Sequence, residues 1–172
     1  MEWVHESTAD NSSRFVLGTV GVRPLVCVGL NPSTALPNDL DRTLARVQAV
    51  ATLNGYDSFL MLNVYPLRST DPGKLPMTVD PQLLESNGLA VAKALSGTDP
   101  DVWAAWGALI TKRKFLAPAL LELLKLPELG TAKWFSRGRI SNDGHPHHPL
   151  FVKDVDPLVP FDIKSYGDKF RA

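Results

Sequence analysis

One short stretch, residues 25–34, constrains the fold of this chain more than any other. A run of four apolar residues leads directly into Gly29, and Pro32 follows three residues later. A short apolar run bounded by turn residues is typical of a strand buried on both faces, and proline prevents that strand from continuing. Asn31 is therefore expected just after the carboxyl end of a buried strand, where open α/β sheets bind their ligands. An asparagine that merely suits a turn would fit the same position.

Further strands and helices alternate along the chain. Strands are predicted at 14–20, 58–63, 101–107 and 132–136. Helices are predicted at 38–54, 81–95 and 109–124. This alternation favours a three-layer α/β/α sandwich with a mainly parallel central sheet of about four strands. We expect a single domain over residues 1–172, with residues 1–13 loosely ordered and no assigned element in residues 151–172.

Composition narrows the class of protein. The 44% hydrophobic and 21% charged fractions are typical of soluble globular proteins. Eighteen acidic and eighteen basic residues balance, so any binding of nucleic acid would depend on local patches. Cys27 is the only cysteine, which excludes a disulfide or a cysteine-ligated cluster within the chain. Because neither a signal peptide nor a membrane-spanning run is recognisable, we expect a cytoplasmic protein without membrane contacts.

Residues that are candidates for a functional site lie at or just after the end of each predicted central strand. Asn31 follows the first of these strands, Asn63 ends the second, and Gly107 ends the third. A histidine-rich segment, residues 141–150, follows the fourth. Because the carboxyl ends of parallel strands share one edge of a sheet, we expect these four segments to meet in one active site.

These segments resemble, in the same order, the motifs of the uracil-DNA glycosylase superfamily. Gly29-Leu30-Asn31-Pro32-Ser33 is similar to its first motif, Gly-x-Asp/Asn-Pro, and Leu60-Met61-Leu62-Asn63 resembles its strand ending on a uracil-reading asparagine. Trp106-Gly107-Ala108, followed by Thr111-Lys112-Arg113, resembles its Trp-Gly segment with trailing basic residues. His145-Pro146-His147-His148-Pro149-Leu150 is similar to its DNA-intercalating motif, with one extra residue. The pattern also resembles an uncharacterised bacterial family with Leu-Asn-Pro-Ser, Trp-Gly and Gly-His-Pro-x-His-Pro-Leu motifs.

The resemblance implies a monomeric enzyme of base-excision repair that needs no metal or cofactor. It would hydrolyse the N-glycosidic bond of uracil flipped out of single- or double-stranded DNA. Asn31 would position water, and His145 or His148 would stabilise the leaving base. Asn63 would read the base, since an amide pairs with both N3–H and O4 of uracil. The other implied contacts are Gly29, Leu30, Pro32 and Tyr65 around the base, and Ser33, Thr34, Arg68, Lys112, Arg113, Pro146, Pro149 and the intercalating Leu150 on DNA.

One departure from the superfamily pattern affects the expected rate. Many of the matching enzymes have a carboxylate where this chain has Asn31. An amide does not take up a proton at neutral pH, so we expect turnover to be slower than in those enzymes.

Two other functions fit parts of the sequence. Asp143, His145, His147 and His148 are suitable ligands for a divalent metal, with Asp39, Asp41 or Asp71 completing the site of a metal-dependent hydrolase. The neutral charge also fits a non-catalytic module that binds a nucleotide or nucleic acid, although neither common glycine-rich phosphate-binding motif is present.

Overall fold

A single mixed sheet forms the centre of the protein, which we describe from a computed structural model covering residues 1–171. Its strands are β1 (Trp3–Ser7), β2 (Arg14–Thr19), β3 (Pro24–Gly29), β4 (Ser58–Asn63), β5 (Asp101–Ala104), β6 (Lys133–Arg137) and β7 (Leu158–Pro160). They are ordered β1-β2-β4-β3-β5-β6-β7 across the sheet. The four central strands are parallel, whereas β1, β2 and β7 run antiparallel to their neighbours.

Five helices connect or follow these strands. They are α1 (Arg42–Leu53), α2 (Pro81–Leu95), α3 (Leu116–Leu123), α4 (Pro127–Gly130) and α5 (Ile163–Asp168). Single 3₁₀ turns occur at Pro72–Lys74, Ala108–Thr111 and Pro149–Phe151. Within residues 1–171, no helix combines the length and the apolar character needed to cross a bilayer.

The two faces of the sheet bury separate groups of apolar side chains. One face packs Cys27, Phe59 and Trp103 against α1, through Leu44 and Val47 among others. The other face packs its alternate strand residues against apolar side chains of α2 and α3. Because successive strand residues point to opposite faces, the continuous apolar runs of β3 and β4 supply both groups.

Helix starts follow their local capping signals. Asp80 caps α2 by accepting from the backbone N–H groups of Gln82 and Leu83, and Pro81 occupies the first helical position. The predicted bounds of α2 are therefore confirmed. The predicted helix 38–54 begins later, at Arg42, because the Asp41 side chain caps it by accepting from the Leu44 N–H at 2.9 Å.

Two predictions about architecture are wrong. The sheet is mixed and has seven strands, not about four mainly parallel ones, since antiparallel strands extend both edges. The predicted helix 109–124 is divided into a 3₁₀ turn and α3. Pro118 lacks an N–H group and is tolerated only in a first helical turn, which is its place in α3.

The two ends of the chain are more ordered than the sequence indicates. Residues 3–7 form β1 instead of a loosely ordered segment. Residues 151–172, for which no element was predicted, contribute β7 and α5. Both new strands lie at sheet edges and are only partly buried, so they lack the apolar run that identifies a central strand.

Candidate functional site

A cavity of about 600 Å³ opens at the carboxyl ends of the parallel strands. It is the place where the four unusual segments meet, because Gly29 of β3 pairs with Asn63 of β4 and the loops after β5 and β6 close over the same edge. The predicted site residues that line it are Gly29, Leu30, Asn31, Pro32, Ser33, Asn63, His145, His148, Pro149 and Leu150.

Asn63 is the most unusual polar residue in the cavity wall. Its side chain is fully buried, and neither its amide nitrogen nor its amide oxygen has a hydrogen-bond partner within residues 1–171. Its backbone is held from the opposite side, where the Asn87 amide on α2 donates to the Asn63 carbonyl at 3.0 Å. A buried polar group without a partner costs about 1–3 kcal/mol, so the amide is suited to a ligand that supplies both a donor and an acceptor.

Gly29 allows the Asn63 amide to occupy this position. A Cβ atom at Gly29 would lie 3.0 Å from the Asn63 Oδ1 atom and would also overlap the end of the Met61 side chain. The glycine of the first motif is therefore explained by the close approach of a neighbouring strand.

Asn31 has a fixed orientation at the cavity wall. Its Nδ2 group donates to the carbonyls of Pro32 and Ser69, both at 3.0 Å. Because the donor side of the amide is occupied, Oδ1 is left as the atom that can accept from water or a ligand.

His145 belongs to a hydrogen-bonded chain of three buried aromatic side chains. Its Nδ1 atom lies 2.9 Å from the Tyr166 hydroxyl oxygen, which accepts from the Trp106 indole N–H at 2.9 Å. Burial raises the pKa of Tyr166 to about 12, so the phenol keeps its proton at neutral pH. Because the indole N–H of Trp106 can only donate, the phenolic proton has Nδ1 of His145 as its acceptor. The neutral His145 then carries its own proton on Nε2, because only one ring nitrogen is protonated in that form.

Burial also favours the neutral form of His145. It lowers the pKa of the imidazole from its usual value, with Lys169 acting in the same direction and Asp143 opposing it. The ring therefore offers a neutral N–H donor at neutral pH.

His148 is committed to a local structural contact. Its Nδ1 atom accepts from the Leu150 backbone N–H at 3.2 Å and caps the 3₁₀ turn 149–151. Burial lowers its pKa, and Asp41 opposes that shift. Its backbone packs against Gly107, whose φ of +71° is favoured by glycine.

Tyr65 does not line the cavity, in contrast to the predicted place of a base-stacking residue. Its ring packs against Phe115, with 4.9 Å between centroids, and belongs to the core on the α2 and α3 side. Its hydroxyl accepts from the Asp80 backbone N–H. The chain turns after β4 ends at Asn63, so Tyr65 and Asn63 point to different sides of the sheet.

Several predicted DNA contacts also lie outside the cavity wall. Arg113 is held to the loop before α2, donating to the carbonyls of Leu75 and Gly73, and this explains why it is only half-exposed. Arg68 donates to the Ser33 and Ala35 carbonyls and, with Ser33, lines a separate shallow depression. The remaining predicted residues outside the wall are Thr34 beside Arg68, the exposed Lys112 and the buried Pro146.

The cavity also contains residues for which the resemblance implies no role in the site, among them Asp41, a candidate ligand of the alternative metal site. Arg14, Asp41, Trp106 and Phe151 line it, and Tyr166 acts behind His145. Trp106 lies in a recognised motif, but its contact with Tyr166 joins residues sixty positions apart and has no local signal. Within residues 1–171, no three histidine, cysteine, aspartate or glutamate side chains come together as a metal site, so the proposed histidine cluster lacks that geometry.

Comparison with known proteins shows the family of this chain. A family described as "Protein of unknown function (DUF1643)" matches residues 14–150, which include every cavity-lining residue except Phe151. No curated protein and no solved structure matches the chain.

Proposed function

We propose that this chain, which belongs to the DUF1643 family, is a glycosylase that hydrolyses the N-glycosidic bond of uracil in DNA. The observation that carries the proposal is the buried Asn63 amide, which lacks partners within residues 1–171 and lies in one cavity with Asn31 and His145. A flipped uracil would supply N3–H to Oδ1 of Asn63 and accept from Nδ2 at O4.

Bond cleavage places different demands on the two ends of the substrate. The bonding electrons leave with the base while positive charge develops on the sugar. In this proposal, the neutral His145 donates from Nε2 to a uracil carbonyl oxygen and stabilises the departing anion. Asn31 holds the attacking water through Oδ1, and the water oxygen bonds to C1′ of the sugar as the bond from C1′ to the base breaks. The proton lost by this water passes to the surrounding water, and the uracil anion takes up one proton from water as it leaves.

His145 is better suited than His148 to the role at the leaving base. The Tyr166 hydroxyl fixes the tautomer that presents a donor on Nε2 of His145. His148 instead caps the turn that carries Leu150. We therefore propose that His148 shapes the intercalating segment, while Ser33, Pro149 and Leu150 contact DNA around the cavity.

The finer architecture and the location of the protein are also proposals. Helix α1 on one face and helices α2 and α3 on the other support a three-layer arrangement. The free, buried Cys27 supports a cytoplasmic location, because disulfides are rare in that compartment.

Release of free base from a uracil-containing oligonucleotide tests this function. The wild-type protein is expected to release uracil, and Asn63→Asp to lose at least about a hundredfold in rate, since an ionised carboxylate repels uracil O4. Asn63→Asp should also narrow the preference for uracil over cytosine, whose N4 amine donates. Asn38→Asp is the matched control, because Asn38 is exposed and only its oxygen is used, by the Trp3 indole N–H.

The outcomes separate two kinds of failure. A wild-type protein that releases no uracil contradicts the proposed reaction. Release at the parent rate by Asn63→Asp contradicts the role of Asn63 as the base-reading residue.

A further inference from the structure

A β-bulge turns one buried arginine toward the cavity. Glu6 of β1 pairs with Val16 and Ser7 pairs with Arg14, so Phe15 is the extra residue in β2. Phe15 and Val16 both pack on the α2 and α3 side of the sheet. This irregularity places Arg14 on the α1 side, where it lines the cavity; bulges next to functional sites often redirect a side chain in this way.

Two of the three guanidinium nitrogens of Arg14 have no hydrogen-bond partner within residues 1–171. Nη1 donates to the Ala35 carbonyl at 3.2 Å, whereas Nε and Nη2 have no partner within residues 1–171. The side chain is fully buried. Nε–H and Nη2–H lie side by side on one edge of the guanidinium plane, and this edge binds the two oxygens of a carboxylate or phosphate.

Within residues 1–171, no carboxylate forms an ion pair with this group. The neighbouring Asp41 uses its two oxygens on the backbone N–H groups of Leu44 and Ala35. Arg68 adds a second positive charge nearby. Burial and Arg68 lower the pKa of Arg14 to about 10, with the Asp41 carboxylate opposing them, and the group is still charged at neutral pH.

Holding the loop after β3 does not explain the buried charge. The Ala35 carbonyl already accepts from Arg68 at 3.2 Å, and it occupies only one donor of Arg14. A buried cation without a direct ion pair is costly, and an anionic ligand bound to its free donors reduces that cost.

We propose that Arg14 is the anion-binding subsite of this cavity and binds a carboxylate or phosphate of the ligand through Nε–H and Nη2–H. With the Asn63 amide in the same wall, the subsite selects ligands that combine an amide-like edge with an oxyanion. The subsite concerns binding alone and does not depend on cleavage of a glycosidic bond.

Titration of the wild-type protein with inorganic phosphate and with acetate, observed by NMR at the Arg14 Nε–H resonance, tests the subsite. The resonance is assigned from its loss in Arg14→Lys. We expect a saturable shift with at least one of the two anions, and none with chloride at equal ionic strength. A shift with phosphate alone identifies phosphate as the ligand group, and a shift with acetate alone identifies a carboxylate. No shift with either anion overturns the proposal.

Calorimetry then compares neutral and anionic ligands that share a uracil ring. Deoxyuridine is paired with its 5′-monophosphate, and uracil with its 6-carboxylate. We expect the anionic member of at least one pair to bind the wild-type protein about tenfold or more tightly, consistent with charge-assisted hydrogen bonds. Arg14→Gln should abolish that preference, whereas Arg23→Gln removes the same charge from an exposed position outside the cavity and should retain it.

Two binding results would overturn the proposal, one measured on Arg14→Gln and one on the wild-type protein. A preference that survives in Arg14→Gln overturns the proposal, as does equal binding of both members of each pair by the wild type. Because these are binding measurements, a glycosylase assay without product would leave their result unchanged.

Discussion

The Tyr166 hydroxyl oxygen lies 2.9 Å from Nδ1 of His145, and this contact ties the end of the chain to the cavity. Tyr166 belongs to α5, outside the residues 14–150 that match the family, whereas His145 lies inside them. The Trp106 indole N–H donates to the same hydroxyl, so the phenolic proton is directed at His145. The C-terminal helix therefore sets which nitrogen of His145 faces the cavity as a donor.

Replacing Tyr166 with phenylalanine tests this positioning role. A hydroxyl that donates to Nδ1 favours the neutral imidazole, so its removal is expected to raise the pKa of His145. We expect base release to fall by up to about tenfold, the equivalent of one hydrogen bond, and the acidic limb of the pH–rate profile to move upward.

Tyr56→Phe is the matched control for that variant. It also removes one phenolic oxygen, which donates to Asp101 at 2.7 Å near the start of β5, at the opposite end of the strand from the cavity. We expect it to lower the melting temperature without moving the pH profile. An unchanged profile in Tyr166→Phe would show that Tyr166 has a purely structural role.

Replacing His145 with alanine is expected to separate chemistry from binding. The imidazole stabilises charge that develops only during bond cleavage, so base release should slow by about a hundredfold or more. DNA affinity, measured by fluorescence anisotropy, should change much less. His148→Ala should weaken DNA binding more than it slows base release, because it removes the cap of the turn that carries Leu150. Equal rate losses in both variants would contradict the assignment of His145 as the working histidine.

Much of the site could be predicted because its signals are local. The apolar runs before Gly29 and Asn63, together with the breaking proline, identify two buried strands and their ends. Parallel pairing then requires those ends to share one edge of the sheet, and this does not depend on where the helices pack. Strand β1 lacks such a signal, since Trp3, Val4 and Ser7 are only partly buried at the sheet edge.

Contacts that depend on how distant segments pack could not be predicted from the sequence. Tyr166 follows the proline-rich tail, and its contact with His145 exists only once α5 packs near the cavity. Arg14 lies in a predicted edge strand, and no local signal shows that the bulge at Phe15 turns its side chain toward the cavity. Tyr65 shows the reverse case, because the chain turns after Asn63 and the ring enters the opposite core.

DNA affinity is expected to rise as the pH falls. Protonated histidines add positive charge to a protein whose formal net charge is +0, and this strengthens attraction to phosphates. Burial lowers the pKa of both His145 and His148 from 6.5, so these two side chains take up their protons below that pH. Titrations at fixed salt between pH 5.5 and 8 measure the effect. A constant affinity across that range would contradict it.

Replacing Gly29 with alanine is expected to displace the Asn63 amide. The added Cβ would lie 3.0 Å from Asn63 Oδ1, and a shift of the amide weakens both contacts to the base. We expect base release to fall by about tenfold or more. Gly88→Ala is the control, because a Cβ there meets nothing within 4 Å and alanine favours the interior of α2 by about 0.5–1 kcal/mol. Parent-level activity in Gly29→Ala would show that the close approach is not needed for base reading.

The residue that intercalates into DNA is best tested by comparing Leu150 with its neighbour Phe151. Both line the cavity within the 3₁₀ turn 149–151, but Leu150 is half-buried whereas Phe151 is 79% exposed. An apolar side chain that fills a vacated base stack must be free to leave the protein surface, and unstacking costs a few kcal/mol per base step.

We therefore predict that Phe151→Ala weakens capture of a flipped base at least as much as Leu150→Ala. Fluorescence of 2-aminopurine placed beside uracil reports base flipping in duplex DNA. Val155→Ala is the control, since Val155 is 85% exposed and lies outside the cavity. In single-stranded DNA less base stacking must be replaced. Phe151→Ala and Leu150→Ala should therefore weaken base capture less in single-stranded DNA than in duplex DNA. Loss confined to Leu150→Ala would assign intercalation to the leucine of the motif and leave Phe151 as a surface residue.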